Sequence, residues 1–163
     1  MRILGIDPGF ATIGLGVIDS THASDLNVVE WLTIETPAGM PFADRLVEIR
    51  KDLDEFLDDT KPDLVVIEQL FFSKNQTTAL DVAHARGVII CAVAERSIRM
   101  LEASPMQLKS GITGDGGADK KQMQSMLVQM LKLQQVPKPD DAADALALAV
   151  FGALQQHTSL IQI

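Results

Sequence analysis

The chain predicts an α/β fold, a mixed five-stranded sheet flanked by helices on both faces. Two observations carry that prediction. The first 34 residues hold three β-type apolar runs joined by short turns. After them, segments of helical period alternate with short, wholly apolar runs of the kind found in buried parallel strands.

The first strand spans residues 2–7 and the second residues 13–18, and Pro8-Gly9 supplies the turn between them. Residues 27–34 form a third strand, rich in β-branched side chains and containing Trp31. The period then changes. Phe42, Leu46, Ile49, Leu53, Phe56 and Leu57 recur at helical spacing with acids between them, and Pro62 ends that helix. Leu64-Val65-Val66-Ile67 reads as a short strand buried on both faces. Residues 77–97 are apolar nearly all round and predict a buried or interface helix, and residues 98–103 a fifth strand. Gly111, Gly114, Gly116 and Gly117 mark a loop. A helix follows with Met123, Met126, Leu127, Met130 and Leu131 on one face; Pro137 and Pro139 break it, and a last helix runs from about Asp141 to Leu154. The order βββαβαβαα is the ribonuclease H-like arrangement.

At 163 residues with 47% apolar and 22% charged side chains, the chain is expected to be one domain spanning residues 1–163, with a core that needs no disulfide. Cys91, the one cysteine, lies in an apolar run that predicts a buried thiol, and three scattered histidines complete no zinc pattern. Asp7 interrupts any signal-peptide core, and the apolar stretch from Ala145 to Leu154 is far too short for a bilayer, so a cytoplasmic protein without a membrane partner is expected. The net charge of −8 is unevenly spread: residues 1–60 carry 12 acids against 4 bases, residues 61–122 carry 7 against 8. A basic surface is therefore available in the middle of the chain, where Lys74, Arg86, Lys109, Lys120 and Lys121 lie.

Acids stand at three telling places. Asp7 ends the first strand, Glu68 follows the buried strand 64–67, and Asp141 and Asp144 share one face at the start of the last helix. Ligands of open sheets bind beyond the carboxyl ends of parallel strands, which suits Asp7 and Glu68. Each acid also has a purely structural use: Asp7 in a turn, Glu68 as a strand end reaching water, Asp141 as a helix cap with Asp144 in the first turn. Gathered at one spot they would repel one another unless a cation compensated them. Carboxylates without Cys or His suit Mg²⁺ or Mn²⁺, and two such ions about 3.5–4 Å apart promote phosphodiester hydrolysis without a protein general base.

Gly5-Ile6-Asp7-Pro8-Gly9 with Gly14 and Gly16, Ile67-Glu68-Gln69-Leu70-Phe71 with Lys74-Asn75, Ala85-Arg86-Gly87, and Asp141-Ala142-Ala143-Asp144-Ala145-Leu146 resemble, in order and spacing, the RuvC family of Holliday junction resolvases. The resemblance runs from about Ile3 to Gly152. It implies an endonuclease that resolves four-way junctions by paired symmetric nicks in recombination and repair, with Asp7, Glu68, Asp141 and Asp144 holding two Mg²⁺ per site and Mn²⁺ able to substitute. It points to Phe71 as an aromatic on junction bases and to Lys109 and Lys120 as DNA contacts near the scissile phosphate. Lys120-Lys121, opening a helix, suits a phosphate clamp, and Lys74 joins the DNA-contacting set. Core packing is the alternative for Phe71, and a solvated surface for Lys74 and Lys121. The resemblance further implies a homodimer, for which the apolar helix 77–97 is the candidate interface, and a branch-migration motor of the RuvA and RuvB type as partner. Phe10 stands where relatives often carry a small polar residue, and residues 153–163 hold no Lys or Arg. Weak, strongly magnesium-dependent junction binding is the expectation.

Three other functions fit parts of the pattern. The Asp-Pro-Gly turn resembles the phosphate hairpin of actin-like ATPases, which ATP turnover without DNA would reveal. A non-catalytic relative would normally have lost one of the four acids. A nuclease acting on flaps, forks or structured RNA would keep them all.

Overall fold

The computed structural model describes residues 1–70 and 76–159. Three strands open the chain, β1 (Arg2–Asp7), β2 (Thr12–His22) and β3 (Asp25–Glu35). Helix α1 (Phe42–Thr60), β4 (Leu64–Glu68), α2 (Gln76–Glu95) and β5 (Arg99–Ala103) follow, then three helices, α3 (Pro105–Thr113), α4 (Lys120–Met130) and α5 (Asp140–Ser159). The sheet order is β3-β2-β1-β4-β5. β1, β2 and β3 pair antiparallel as a meander, whereas β4 lies parallel to both β1 and β5. The mixed, helix-covered, five-stranded sheet is as expected.

Strand alternation divides the core into two layers. Leu4, Ile6, Leu15, Val65 and Ile67 face α1 and α2, where Ile49, Leu53, Ala85, Ile89 and Val93 meet them. Ile3, Ile18, Leu64 and Val66 face the other way, onto Leu146, Val150 and Phe151 of α5 and on to Leu108 and Leu127. Asp7 falls in phase with Ile3 and Gly5, and Glu68 with Leu64 and Val66. Both acids therefore project on the α5 side.

Helix α5 lies unusually close to the sheet, and glycines make that approach possible. A Cβ on Gly5 would sit 1.9 Å from the Ala145 carbonyl oxygen, and one on Gly14 would sit 2.0 Å from that of Asp141. The helix backbone thus rests on the strand backbones of β1 and β2. The chain entering the helix is held as well, where the Trp31 indole N–H donates to the Lys138 carbonyl at 3.3 Å.

Two expectations need correction. The glycine-rich stretch is not wholly loop, because Pro105–Thr113 is helical. Ser104 caps it, accepting from the Gln107 N–H while the Gln107 side chain takes the Ser104 N–H, and Pro105 fills the first turn. Gly111 sits inside this helix, because a Cβ there would come within 2.7 Å of the Phe151 ring, and Gly114 ends it with φ of 79°. Cys91 is exposed rather than buried. Among its described side chains, helix α2 buries only the stripe through Ala85, Ile89, Ala92 and Val93, and Cys91 falls on the opposite face with the half-exposed Leu80. The near-uniform apolarity of α2 reflects two apolar faces, one of them turned outward.

Candidate active site

Asp7, Glu68 and Asp144 line one cavity of about 230 Å³, together with Lys109, Lys120, Pro105, Leu108, Met123 and Leu148. β1 and β4 are parallel neighbours, so their carboxyl ends deliver Asp7 and Glu68 side by side. Asp144 comes from the second turn of α5, held against the strands by the close approach at Gly5 and Gly14. Leu108, Met123 and Leu148 make an apolar wall that keeps the carboxylates partly out of water.

The acids feel one another. Burial pushes the Asp7 carboxyl up to about 7, and Glu68, Asp144 and Asp141 add to the rise in that order. Glu68 is raised by burial and then by Asp144. Burial raises Asp144 too, although Lys120 opposes the shift. Lys120 lies between two carboxylates, its Nζ 3.0 Å from Asp140 and 3.7 Å from Asp144. Asp140 above all holds that ammonium above its ordinary pKa.

Of the residues singled out in the sequence, the structure brings Asp7, Glu68, Asp144, Lys109 and Lys120 together at this cavity. Asp141 sits in the first turn of α5 and reaches Asp7 and Asp144 through its charge, without lining the cavity. Lys121, beside Lys120 at the start of α4, is exposed and does not line the cavity. Phe71 and Lys74 lie outside the described residues. One neighbour of the site, Asp140, escaped the sequence reading, and another, Arg86, was read there as part of a basic surface but is mostly buried and ion-paired. Asp140 precedes Asp144 by one helical turn, and that spacing lets both acids reach Lys120. Arg86 donates from Nε to the main-chain carbonyl of Glu68 at 3.1 Å.

The donor set is what a hard divalent cation requires: only carboxylates, partly desolvated and mutually repelling. Among the described residues no three His, Cys, Asp or Glu side chains stand close enough to enclose an ion as they are oriented. Asp144 is turned toward Lys120. Burial first and neighbouring carboxylates after it raise Asp7, Glu68 and Asp144, and a cation at the cavity would relieve the repulsion among them. The residues fit Mg²⁺ or Mn²⁺.

The family model described as "Crossover junction endodeoxyribonuclease RuvC" matches residues 3–152. A protein of that name from Brevibacillus brevis is 49% identical over 150 residues, 92% of this chain and 90% of its own length. Its counterpart from Caldicellulosiruptor saccharolyticus is 43% identical over 162 residues, 99% of this chain and 98% of its own. The solved structure of Thermus thermophilus RuvC in complex with Holliday junction substrate superimposes with a TM-score of 0.92 at 30% identity, covering 98% of this chain and 96% of that one. The match spans both strand ends that carry Asp7 and Glu68 and the helix that carries Asp144, and the chain belongs to the RuvC family of crossover junction endodeoxyribonucleases.

Proposed function

We propose that this chain is a magnesium-dependent endonuclease that resolves Holliday junctions in recombination and repair by paired, symmetric nicks. One observation carries the reading. In a member of a crossover junction endodeoxyribonuclease family, three partly desolvated carboxylates converge at the carboxyl ends of two parallel strands and the start of α5. The matched Thermus thermophilus protein was solved with a Holliday junction substrate, which supports the same substrate here.

Asp7, Glu68, Asp141 and Asp144 would hold two Mg²⁺, with Mn²⁺ able to replace them. Bound there, the cations would supply the Lewis acidity that phosphodiester hydrolysis requires. Lys109 and Lys120 stand at the rim of the same cavity and give the scissile phosphate its cationic contacts. Lys120 is shared with Asp140 and Asp144, so an arriving phosphate competes with two carboxylates for its ammonium. Leu108, Met123 and Leu148 limit water at the carboxylates and strengthen every charge interaction among them. Lys121, Lys74 and Phe71 extend the DNA-contacting surface in this reading.

The whole of residues 1–163 acts as one nuclease domain, working as a homodimer in the cytoplasm alongside a RuvA- and RuvB-type motor. A two-fold dimer supplies two identical sites for two symmetric cuts. No described helix is long and apolar enough to cross a membrane. The outward face of α2 with α1 suits the dimer contact: Val47 is 66% and Leu80 55% exposed, beside Leu46, Ala83, Val88 and Cys91.

Strand-resolved cleavage of a synthetic four-way junction, with linear duplex as control and Mg²⁺ or EDTA present, tests the proposal. Symmetric nicks on the junction in Mg²⁺, and none on duplex or in EDTA, are the expected result. Asp7→Asn and Glu68→Gln are each expected to keep the fold and lose nicking by about three orders of magnitude, several kcal/mol of barrier. Near-parental cutting by either variant would remove it from the site.

A further inference from the structure

Arg86 is a mostly buried cation without a place in the chemistry described so far. Its side chain is 15% exposed, on the buried side of α2. Desolvating a guanidinium is costly, and only well-placed partners offset the cost. It has two. Nε donates to the Glu68 main-chain carbonyl at 3.1 Å, and an Nη lies 3.0 Å from the Glu102 carboxylate, ion-paired though off the line of a hydrogen bond.

The two partners lie at the ends of adjacent parallel strands. Ile67 is in register with Glu102 and Glu68 with Ala103, and Gln69 makes a final rung by donating to the Ala103 carbonyl at 2.8 Å. Alternation puts the Ile67 and Glu102 side chains on the α2 face and the Glu68 carboxylate on the α5 face. Arg86 therefore takes hold of Glu68 from behind the sheet, through its main chain. An arginine that reached the carboxylate itself would neutralise the charge a cation needs. One that grips the carbonyl fixes the strand end and leaves the carboxylate free.

We propose that Arg86 is a positioning residue for Glu68, pinning the end of β4 to Glu102 of β5 so that the carboxylate is presented to divalent cations at the cavity. The inference rests on the reading of Glu68 as a cation ligand. Because Arg86 rides on α2, opposite the outward face with Leu80 and Cys91, it also ties that helix directly to the site. The two contacts use the planar fork of the guanidinium, which a lysine cannot reproduce.

The test measures Mn²⁺ binding by calorimetry on the DNA-free protein, half-saturating Mg²⁺ in junction nicking, junction affinity in metal-free buffer, and thermal stability. The variants are Arg86→Gln, Arg86→Lys and Glu102→Gln. Arg86→Gln is expected to weaken Mn²⁺ binding and raise the Mg²⁺ requirement by about tenfold, the usual effect of losing a partner that orients a ligand. Arg86→Lys and Glu102→Gln, which each break one contact, are expected to fall between it and the parent. Junction affinity without metal should change less than about twofold, because Arg86 is too buried to meet a phosphate. Unchanged Mn²⁺ binding with a lowered melting temperature would reduce Arg86 to a structural role and overturn the proposal, as would a fall in metal-free junction affinity. If Arg86→Gln does not fold, the other two variants decide by the same readouts. A parent protein that neither binds Mn²⁺ nor cuts would instead sink the nuclease reading.

Discussion

Asp7 carries the clearest electrostatic signature in the molecule, a carboxyl pushed up to about 7 by burial first and by three neighbouring acids after it. A group that holds its proton more tightly when folded than when unfolded makes stability fall as pH rises. The window runs from the ordinary aspartate value of 3.8 to about 7. Glu68 and Asp144, raised for the same reason, act in the same direction. In EDTA the melting temperature is therefore expected to drop by about 5 °C between pH 5 and pH 8. Mg²⁺ should abolish most of that drop, and Asp7→Asn should shrink it even without metal. Scanning calorimetry at the two pH values decides the matter; a parent protein no less stable at pH 8 would contradict it. Under the proposed function, the Mg²⁺ requirement of nicking should also ease as pH climbs through about 7, since the deprotonated Asp7 is the ligand.

At the scale of elements, the site depends on how closely α5 rests on the sheet. Gly5 has no room for a methyl group, because a Cβ would lie 1.9 Å from a helix carbonyl. Gly5→Ala must push α5 outward or strain both backbones, and a loss of about 3 kcal/mol or more is expected in urea unfolding. The same displacement would carry Asp144 away from Asp7 and Glu68, so any folded Gly5→Ala protein should need more Mg²⁺ to cut. A variant as stable as the parent would show that the helix can move without penalty. Most elements were legible in the sequence, since period two and period 3.6 leave strong traces. Helix α3 was not, because Gly111 and Gly114 read as breakers while the Ser104–Gln107 capping box that starts the helix is a short signal among them. Gly111 is there to admit the Phe151 ring, a reason located more than 30 residues along the chain.

For the molecule as a whole, charge and apolar surface are separated. Acids crowd the first third, and several of them on α1 are tied to the C-terminal end of α2, Arg50 pairing with Asp54 and Glu95 and Arg96 with Asp54 and Asp58. The two lysines at the cavity, Lys109 and Lys120, stand among three carboxylates in a protein of net charge −8. Junction binding is therefore expected to be weak in EDTA and strengthened by Mg²⁺, with a shallow salt dependence that fluorescence anisotropy would measure. Tight binding in EDTA would contradict this. The outward apolar face of α1 and α2 leads to a further expectation: Leu80→Asp should shift the protein to monomer in light scattering and uncouple the paired nicks. A dimer that persists would place the interface elsewhere.

The sequence by itself determined the sheet class, the strand-end positions of Asp7 and Glu68 and the pairing of acids on α5, because periodicity and turn chemistry are local properties. It also carried the family resemblance, since Gly5, Gly14 and Gly16 sit in the motifs themselves. Why those glycines are there was decided only by the tertiary structure, through the contact of α5 backbone with strand backbone. So were the exposure of Cys91, the sharing of Lys120 between Asp140 and Asp144, and the grip of Arg86 on the Glu68 carbonyl. Each of these depends on which elements pack together, and no local pattern encodes which distant surfaces will meet when the chain packs.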